Sequence, residues 1–170
     1  DAGSFEIATQ KSVIDILVVF DSGAKTWAEN SWANAEWKDE GTMQEFADYA
    51  VNKMNLVLKN SQLFDKFEYR LVGVTEVDAA YTTVGSALGV LRLWDGPFSG
   101  IHDFQLATGA DTTVLLIDRT GDDTSGISYS LENSVDETAV AKMATDNKFY
   151  SVCDIKTTDS MYTMSHEVGH

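Results

Sequence analysis

Two histidines four residues apart stand in the stretch SHEVGH, residues 165–170 of this chain. On a helix, residues i and i+4 lie on the same face, so His166 and His170 can direct two imidazoles at one metal ion. Glu167 lies between them in sequence and could take a proton from water during attack on a peptide carbonyl. The spacing predicts a zinc site with His166 and His170 as ligands and Glu167 as the general base.

The surroundings of this motif argue against a chance occurrence on a surface helix. Met161, Met164 and Val168 are spaced to bury one side of the helix while the histidines face elsewhere. The whole chain has only 3 histidines, and two of them belong to the motif. Gly169 costs a helix about 1 kcal/mol relative to alanine, which indicates close packing of another segment against it.

Alternating strands and helices must position the motif. The clearest helix covers residues 42–60, where apolar residues recur at the helical period and Thr42 with Glu45 forms a capping box. Further helices are predicted at 83–94, at 135–147 and from about Thr158 or Asp159 onward. Stretches typical of strands are 12–22, 67–78, 111–118, 126–131 and 148–154. The class is therefore α/β or α+β with a mixed sheet.

Composition limits the function classes. The length of 170 residues predicts one domain, and the net charge of −15 repels phosphate backbones and anionic membranes. We therefore expect neither a nucleic-acid nor a membrane partner. The longest apolar run, VIDILVVF, contains Asp15 and is too short to span a bilayer. The first residue, Asp1, is consistent with a processed N-terminus and an exported protein.

HEVGH is similar to the first half of the extended motif His-Glu-x-x-His-x-x-Gly-x-x-His, and the chain resembles the metzincin metalloproteases. Within them it looks most like the reprolysin-like bacterial secreted enzymes, which include the peptidyl-Asp metalloendopeptidases. Upstream stretches add to the resemblance: IDILVVF, RLVGVTEVDAAY, GADTTVLLID followed by GISYS, and a cysteine-bearing strand before the motif.

The resemblance implies a zincin-like fold: a twisted mixed sheet of about five strands, with the 42–60 helix behind it and the motif helix beneath. It implies a secreted or periplasmic zinc endopeptidase that cleaves protein or peptide substrates. His166 and His170 are then zinc ligands and Glu167 the base. The stretch GISYS becomes an edge strand above the cleft, to which a peptide adds through Gly126, Ile127, Ser128 and Tyr129. An ordinary edge or hairpin strand is the alternative for this stretch.

The third histidine and the methionine turn of the family signature lie outside residues 1–170. Catalytic zinc usually has three protein ligands, so we expect these residues to be the N-terminal subdomain of a longer enzyme, with little activity alone. A C-terminal segment of the same enzyme would supply the third ligand. Nothing in the pattern brings His102 to the site. Cys153, the single cysteine, would pair with a cysteine of that segment or be a buried free thiol.

Other interpretations remain open. The chain could be a non-catalytic binding or adhesion module with a vestigial motif, or a zincin whose third ligand is a distant glutamate. Asp118, Asp122 and Asp123 stand in a glycine-flanked turn that could hold Ca²⁺, although a solvated turn is favoured because the spacing does not match an EF-hand. The tryptophans at 27, 32 and 37 could form a binding patch, but packing over the long helix is favoured.

Overall fold

One mixed sheet organises the chain. A computed structural model describes residues 10–32, 42–93, 95–121, 124–129 and 149–170. The strands, numbered along the chain, lie side by side in the order β2-β1-β3-β5-β4. They are β1 (Ser12–Phe20), β2 (Phe67–Glu76), β3 (Thr112–Ile117), β4 (Gly126–Ser128) and β5 (Tyr150–Asp154). The first four of this order pair in parallel, and β4 runs antiparallel to β5 at one edge. The predicted mixed α/β sheet of about five strands is confirmed.

Helices cover both faces of the sheet. They are α1 (Ser22–Trp27), α2 (Met43–Asn60), α3 (Val84–Leu93), α4 (Ile101–Thr108), α5 (Ile155–Ser160) and α6 (Thr163–Val168). We call α6 the site helix, because it carries the first histidine and the glutamate of the motif. The predicted helix at 135–147 lies outside the described residues. Within the described ranges, no helix is long and apolar enough to cross a membrane.

The helical period and the capping box predicted α2 correctly. The Thr42 side chain accepts a hydrogen bond from the Glu45 backbone N–H, and the Glu45 carboxylate accepts one from the Thr42 N–H, as in a capping box. The buried face consists of Phe46, Ala47, Ala50, Val51, Met54 and Leu58. This long helix therefore starts at its own cap and is stabilised by one apolar face against the sheet.

The two faces of the sheet bury different sets of residues. Along β1, Ile16, Val18 and Phe20 face the core formed with α2 and with Met164 of the site helix. Leu17 and Val19 face the opposite core, formed with α3 and with Ile101 at the start of α4. All five of these β1 side chains are fully buried, which is typical of a parallel strand covered on both sides. The site helix and α2 thus share one face, and α3 and α4 cover the other.

The tryptophan-rich stretch packs against α2. A single π-helical segment, Ala28–Trp32, follows α1 directly. The rings of Trp27 and Trp32 meet Phe46 edge-on at centroid distances of 5.9 and 5.1 Å. Packing over the long helix is therefore confirmed for these two tryptophans, and Trp37 lies outside the described residues.

The motif is not part of one continuous helix beginning near Thr158 or Asp159, so that prediction was wrong. The structure has two short helices, because the backbone at Met161 is extended, with φ −128° and ψ −155°. Helix α4 was not predicted at all. It ends at Gly109, which adopts a left-handed conformation (φ 68°) and supplies the usual glycine stop.

Replacing Phe46 by alanine should lower the free energy of unfolding by about 3–5 kcal/mol, because it leaves a cavity among Phe20, Trp27 and Trp32. Leu56→Ala is the matched control, since Leu56 lies on the same helix but is 47% exposed. It should change stability by no more than about 0.5 kcal/mol. Urea denaturation followed by tryptophan fluorescence and circular dichroism measures both. Equal costs would contradict the buried aromatic cluster.

Candidate metal centre

The site helix brings the two histidines of the motif together. His166 lies on the helix, and His170 follows the capping residue Gly169 just after the helix ends. Their Nε2 atoms are 3.1 Å apart, and the rings meet at an interplanar angle of 83°. Both side chains are exposed to solvent. The two nitrogens therefore converge on one point at the protein surface, where they either share a proton or can face a common cation.

This geometry fits two ligands of a zinc ion. Zn–N bonds of about 2.0–2.1 Å at a tetrahedral centre place two nitrogens about 3.3–3.4 Å apart, close to the observed separation. Neutral imidazole is also a ligand type that zinc prefers. The described residues hold no group of three or more histidine, cysteine, aspartate or glutamate side chains placed to bind a metal.

His102 does not complete the pair. It lies on α4, next to Ile101, which belongs to the core on the far side of the sheet. Met164 of the site helix belongs to the opposite core. The sheet thus separates His102 from the two motif histidines, as expected from the sequence.

Glu167 is the enclosed member of the motif. Its side chain is only 8% exposed, whereas the histidines on either side are open to solvent. The carboxylate lies against Gly126, the first residue of β4: a Cβ atom at Gly126 would be 2.6 Å from Glu167 Cγ and 2.7 Å from Oε1. The absence of a side chain at Gly126 therefore makes the space that Glu167 occupies. Sequence reasoning identified both residues but missed this contact, although a glycine inside a strand often marks such a close approach.

An open cleft is lined by both β4 and the site helix. It has a volume of about 330 Å³ and is lined by Thr124, Gly126, Ile127, Ser128, His166, Glu167 and His170. A second recess of about 360 Å³ opens on the other side of Glu167 and His170, towards Tyr129, Tyr150 and Ile14. The motif and the edge strand named from the sequence therefore face each other across one space.

The edge strand is shorter than predicted. It ends at Ser128 rather than at residue 131, and among the described strands it pairs only with β5. Ile127 and Tyr129 pack against the core on the α3 side, and the Arg92 guanidinium lies 5.9 Å from the Tyr129 ring centroid. Because side chains alternate along a strand, Gly126 and Ser128 face the site helix. Tyr129 follows the strand instead of belonging to it.

Cys153 lies in β5 opposite Gly126, beneath the site. It is fully buried in the core that contains Met164. Burial raises the pKa of its thiol well above the ordinary value, and the neighbouring Glu167 and Asp154 carboxylates raise it further. This environment agrees with the buried-thiol alternative and makes the thiol a poor nucleophile.

Of the three aspartates in the turn that could hold Ca²⁺, the structure describes one, Asp118. Asp118 forms an ion pair with Lys156, while Asp122 and Asp123 lie outside the described residues. The aspartate of this turn that the structure describes therefore already has a cationic partner.

Solved structures share this fold. One, described as a chaperone–substrate complex, matches with a TM-score of 0.61 and 19% identity over 94% of this chain and 26% of that chain. Another is metalloproteinase-II from Bacteroides fragilis, with a TM-score of 0.50 and 16% identity over 96% of this chain and 42% of that chain. The chain thus spans less than half of either protein, and identities this low show the fold alone. No family model and no curated protein matches the sequence.

Replacing Gly126 by alanine should displace Glu167 and destabilise the fold by about 1–3 kcal/mol, because the new methyl group overlaps the Glu167 side chain. In a Glu167→Ala background the same substitution should cost less than about 0.5 kcal/mol, since the overlapping atoms are gone. Chemical denaturation of the four proteins in this double-mutant cycle gives the coupling energy. Gly85→Ala in α3, where a Cβ meets nothing within 4 Å, is the control and should stabilise slightly. Absence of coupling would contradict the contact.

Proposed function

We propose that this chain forms part of the catalytic centre of a zinc-dependent endopeptidase of the metzincin type. The observation that carries the proposal is the convergence of His166 and His170, with Nε2 atoms 3.1 Å apart, beside the enclosed carboxylate of Glu167. The order of the strands, the antiparallel edge strand and the fold shared with a metalloproteinase support it. Zinc bound there would act as a Lewis acid that polarises a peptide carbonyl and lowers the pKa of water.

Glu167 would be the general base. Its carboxylate accepts the proton of the attacking water and returns it to the leaving amine, so the residue is regenerated at each turnover. Gly126 leaves room for this carboxylate, because a side chain at position 126 would overlap the side chain of Glu167. The two imidazoles serve as neutral ligands, with their Nε2 lone pairs directed at the metal.

The edge strand β4 would hold the substrate. Among the described strands only β5 pairs with it, and Gly126, Ile127 and Ser128 line the same cleft as the motif. A peptide can add there as an antiparallel strand through main-chain hydrogen bonds. Tyr129 would flank this strand next to the second recess, which also borders Glu167 and His170.

A third ligand would come from outside the described residues. We place it on a polypeptide segment of the same enzyme that packs against the exposed end of the site helix. The recesses lined by Val168 and Gly169 and by Ser165 and His166 offer surface for such packing. A secreted or periplasmic location is part of the proposal and rests on the family resemblance described above.

The proposal predicts chelator-sensitive peptidase activity in the enzyme that contains this chain. Cleavage of a denatured protein substrate should stop when 1,10-phenanthroline removes the metal and return when Zn²⁺ is added. Glu167→Gln should lower kcat by about 10²–10⁴ while the protein keeps its zinc. Glu29→Gln is the control and should retain activity, because Glu29 is exposed and lies in the π-helical segment after α1.

The outcomes separate the alternatives. Chelator-resistant cleavage, or full activity of Glu167→Gln, would rule out the mechanism. If the purified enzyme contains no metal and does not cleave the substrate, the non-catalytic binding module is favoured. Residues 1–170 alone should bind Zn²⁺ weakly, so tight equimolar binding by the monomer would show that no further ligand is needed.

A further inference from the structure

The joint between α5 and the site helix is held by one side chain of α2. In a continuous helix, the carbonyl groups of Thr158 and Asp159 would accept hydrogen bonds from residues 162 and 163. The extended backbone at Met161 interrupts that pattern. Lys53 donates to both carbonyl oxygens instead, with its Nζ 3.1 Å from Thr158 O and 2.5 Å from Asp159 O. One ammonium group thus satisfies the end of α5.

Aromatic rings enclose this ammonium group. Lys53 Nζ lies 5.0 Å from the Tyr162 ring centroid and 5.7 Å from that of Tyr49. The Tyr49 hydroxyl, one turn earlier on α2, also donates to Asp159 O, at 3.3 Å. Partial burial lowers the pKa of Lys53, and the Asp159 carboxylate opposes that shift. Lys53 therefore contacts both the last turn of α5 and Tyr162, the residue directly before the site helix.

The helix that carries Lys53 is fixed to the sheet independently. Two residues further along α2, the Asn55 amide donates to Tyr69 O at 2.8 Å and accepts from Tyr69 N–H at 2.9 Å. Tyr69 is part of β2, so this pair of hydrogen bonds locks α2 to the sheet. A continuous path of direct contacts then runs from the sheet through α2 and Lys53 to the start of the site helix.

The site helix needs contacts with other elements to fix its position. It has six residues, fewer than an isolated helix requires for stability in water. Its first turn closes on Tyr162, whose carbonyl oxygen accepts from the His166 N–H at 2.9 Å. A shift of Tyr162 is therefore transmitted to the first histidine of the motif by one backbone hydrogen bond.

We propose that Lys53 is a positioning residue, which holds the joint at Met161–Tyr162 and thereby sets the direction of the site helix relative to β4. The structural part of this inference stands on the contacts alone. The consequence for metal binding rests on the proposed function, because it assumes that His166 and His170 are ligands. Lys53 contacts the end of α5 and Tyr162, so it would act on the histidines through the site helix.

Lys53→Met keeps the aliphatic stem and removes the donors and the charge. Backbone amides at 161–166 should exchange with deuterium about tenfold faster. The reason is that the joint loses the hydrogen bonds which the charged Lys53 donates to the carbonyl groups at the end of α5. Amides of α2 and of β1 should keep their rates. Lys59→Met is the matched control on the same helix, because Lys59 is exposed and its Nζ lies over Phe64. It should leave residues 161–166 unchanged, and Lys53→Arg should restore much of the protection.

Co²⁺ titration provides the second readout. Its absorption spectrum reports the imidazole ligands, and Lys53→Met should weaken Co²⁺ binding about tenfold without changing the stoichiometry. Unchanged exchange at 161–166 in Lys53→Met would overturn the proposal whether or not metal binds. Faster exchange in an enzyme that contains this chain but whose wild type binds no Co²⁺ would support the positioning role and count against the proposed function. Faster exchange throughout α2 and the sheet would show a general stability effect and would also overturn it.

Discussion

A helix of six residues cannot hold His166 and Glu167 in place by itself. Its position depends on what surrounds it: Met164 in the core under the sheet, Glu167 against Gly126, and the joint at Tyr162 held by Lys53. These contacts come from a strand, a neighbouring helix and the core, so three parts of the chain must fold before the motif acquires its geometry. The short length of the helix makes the candidate site a product of tertiary structure.

The sheet explains why those three contacts can coexist. The parallel strands β1, β3 and β5 are buried on both faces, and the antiparallel β4 is the one described strand with a free edge next to the motif. The face shared by α2 and the site helix carries the candidate chemistry, while α3 and α4 only cover the opposite face. A fold of this kind is shared by proteins of different description at low identity, so function must be argued from the site.

Sequence patterns predicted the features that depend on local chemistry. The α2 capping box, the β-branched strands and the spacing of the two histidines are encoded within a few residues each. The pattern missed α4, and it extended the motif helix through Met161. It also gave no reason to single out Lys53 or to explain why residue 126 is glycine. The Lys53 contacts and the contact between Gly126 and Glu167 join residues 41 or more positions apart, which periodicity does not record.

The contact between Glu167 and Gly126 has an evolutionary consequence. Two positions far apart in the sequence compete for one volume, so residue 126 cannot become larger while Glu167 is present. A lineage that lost the glutamate would be free to accumulate larger residues at 126, whereas one that kept it could not. The size of residue 126 would then indicate whether the carboxylate at position 167 is still under selection.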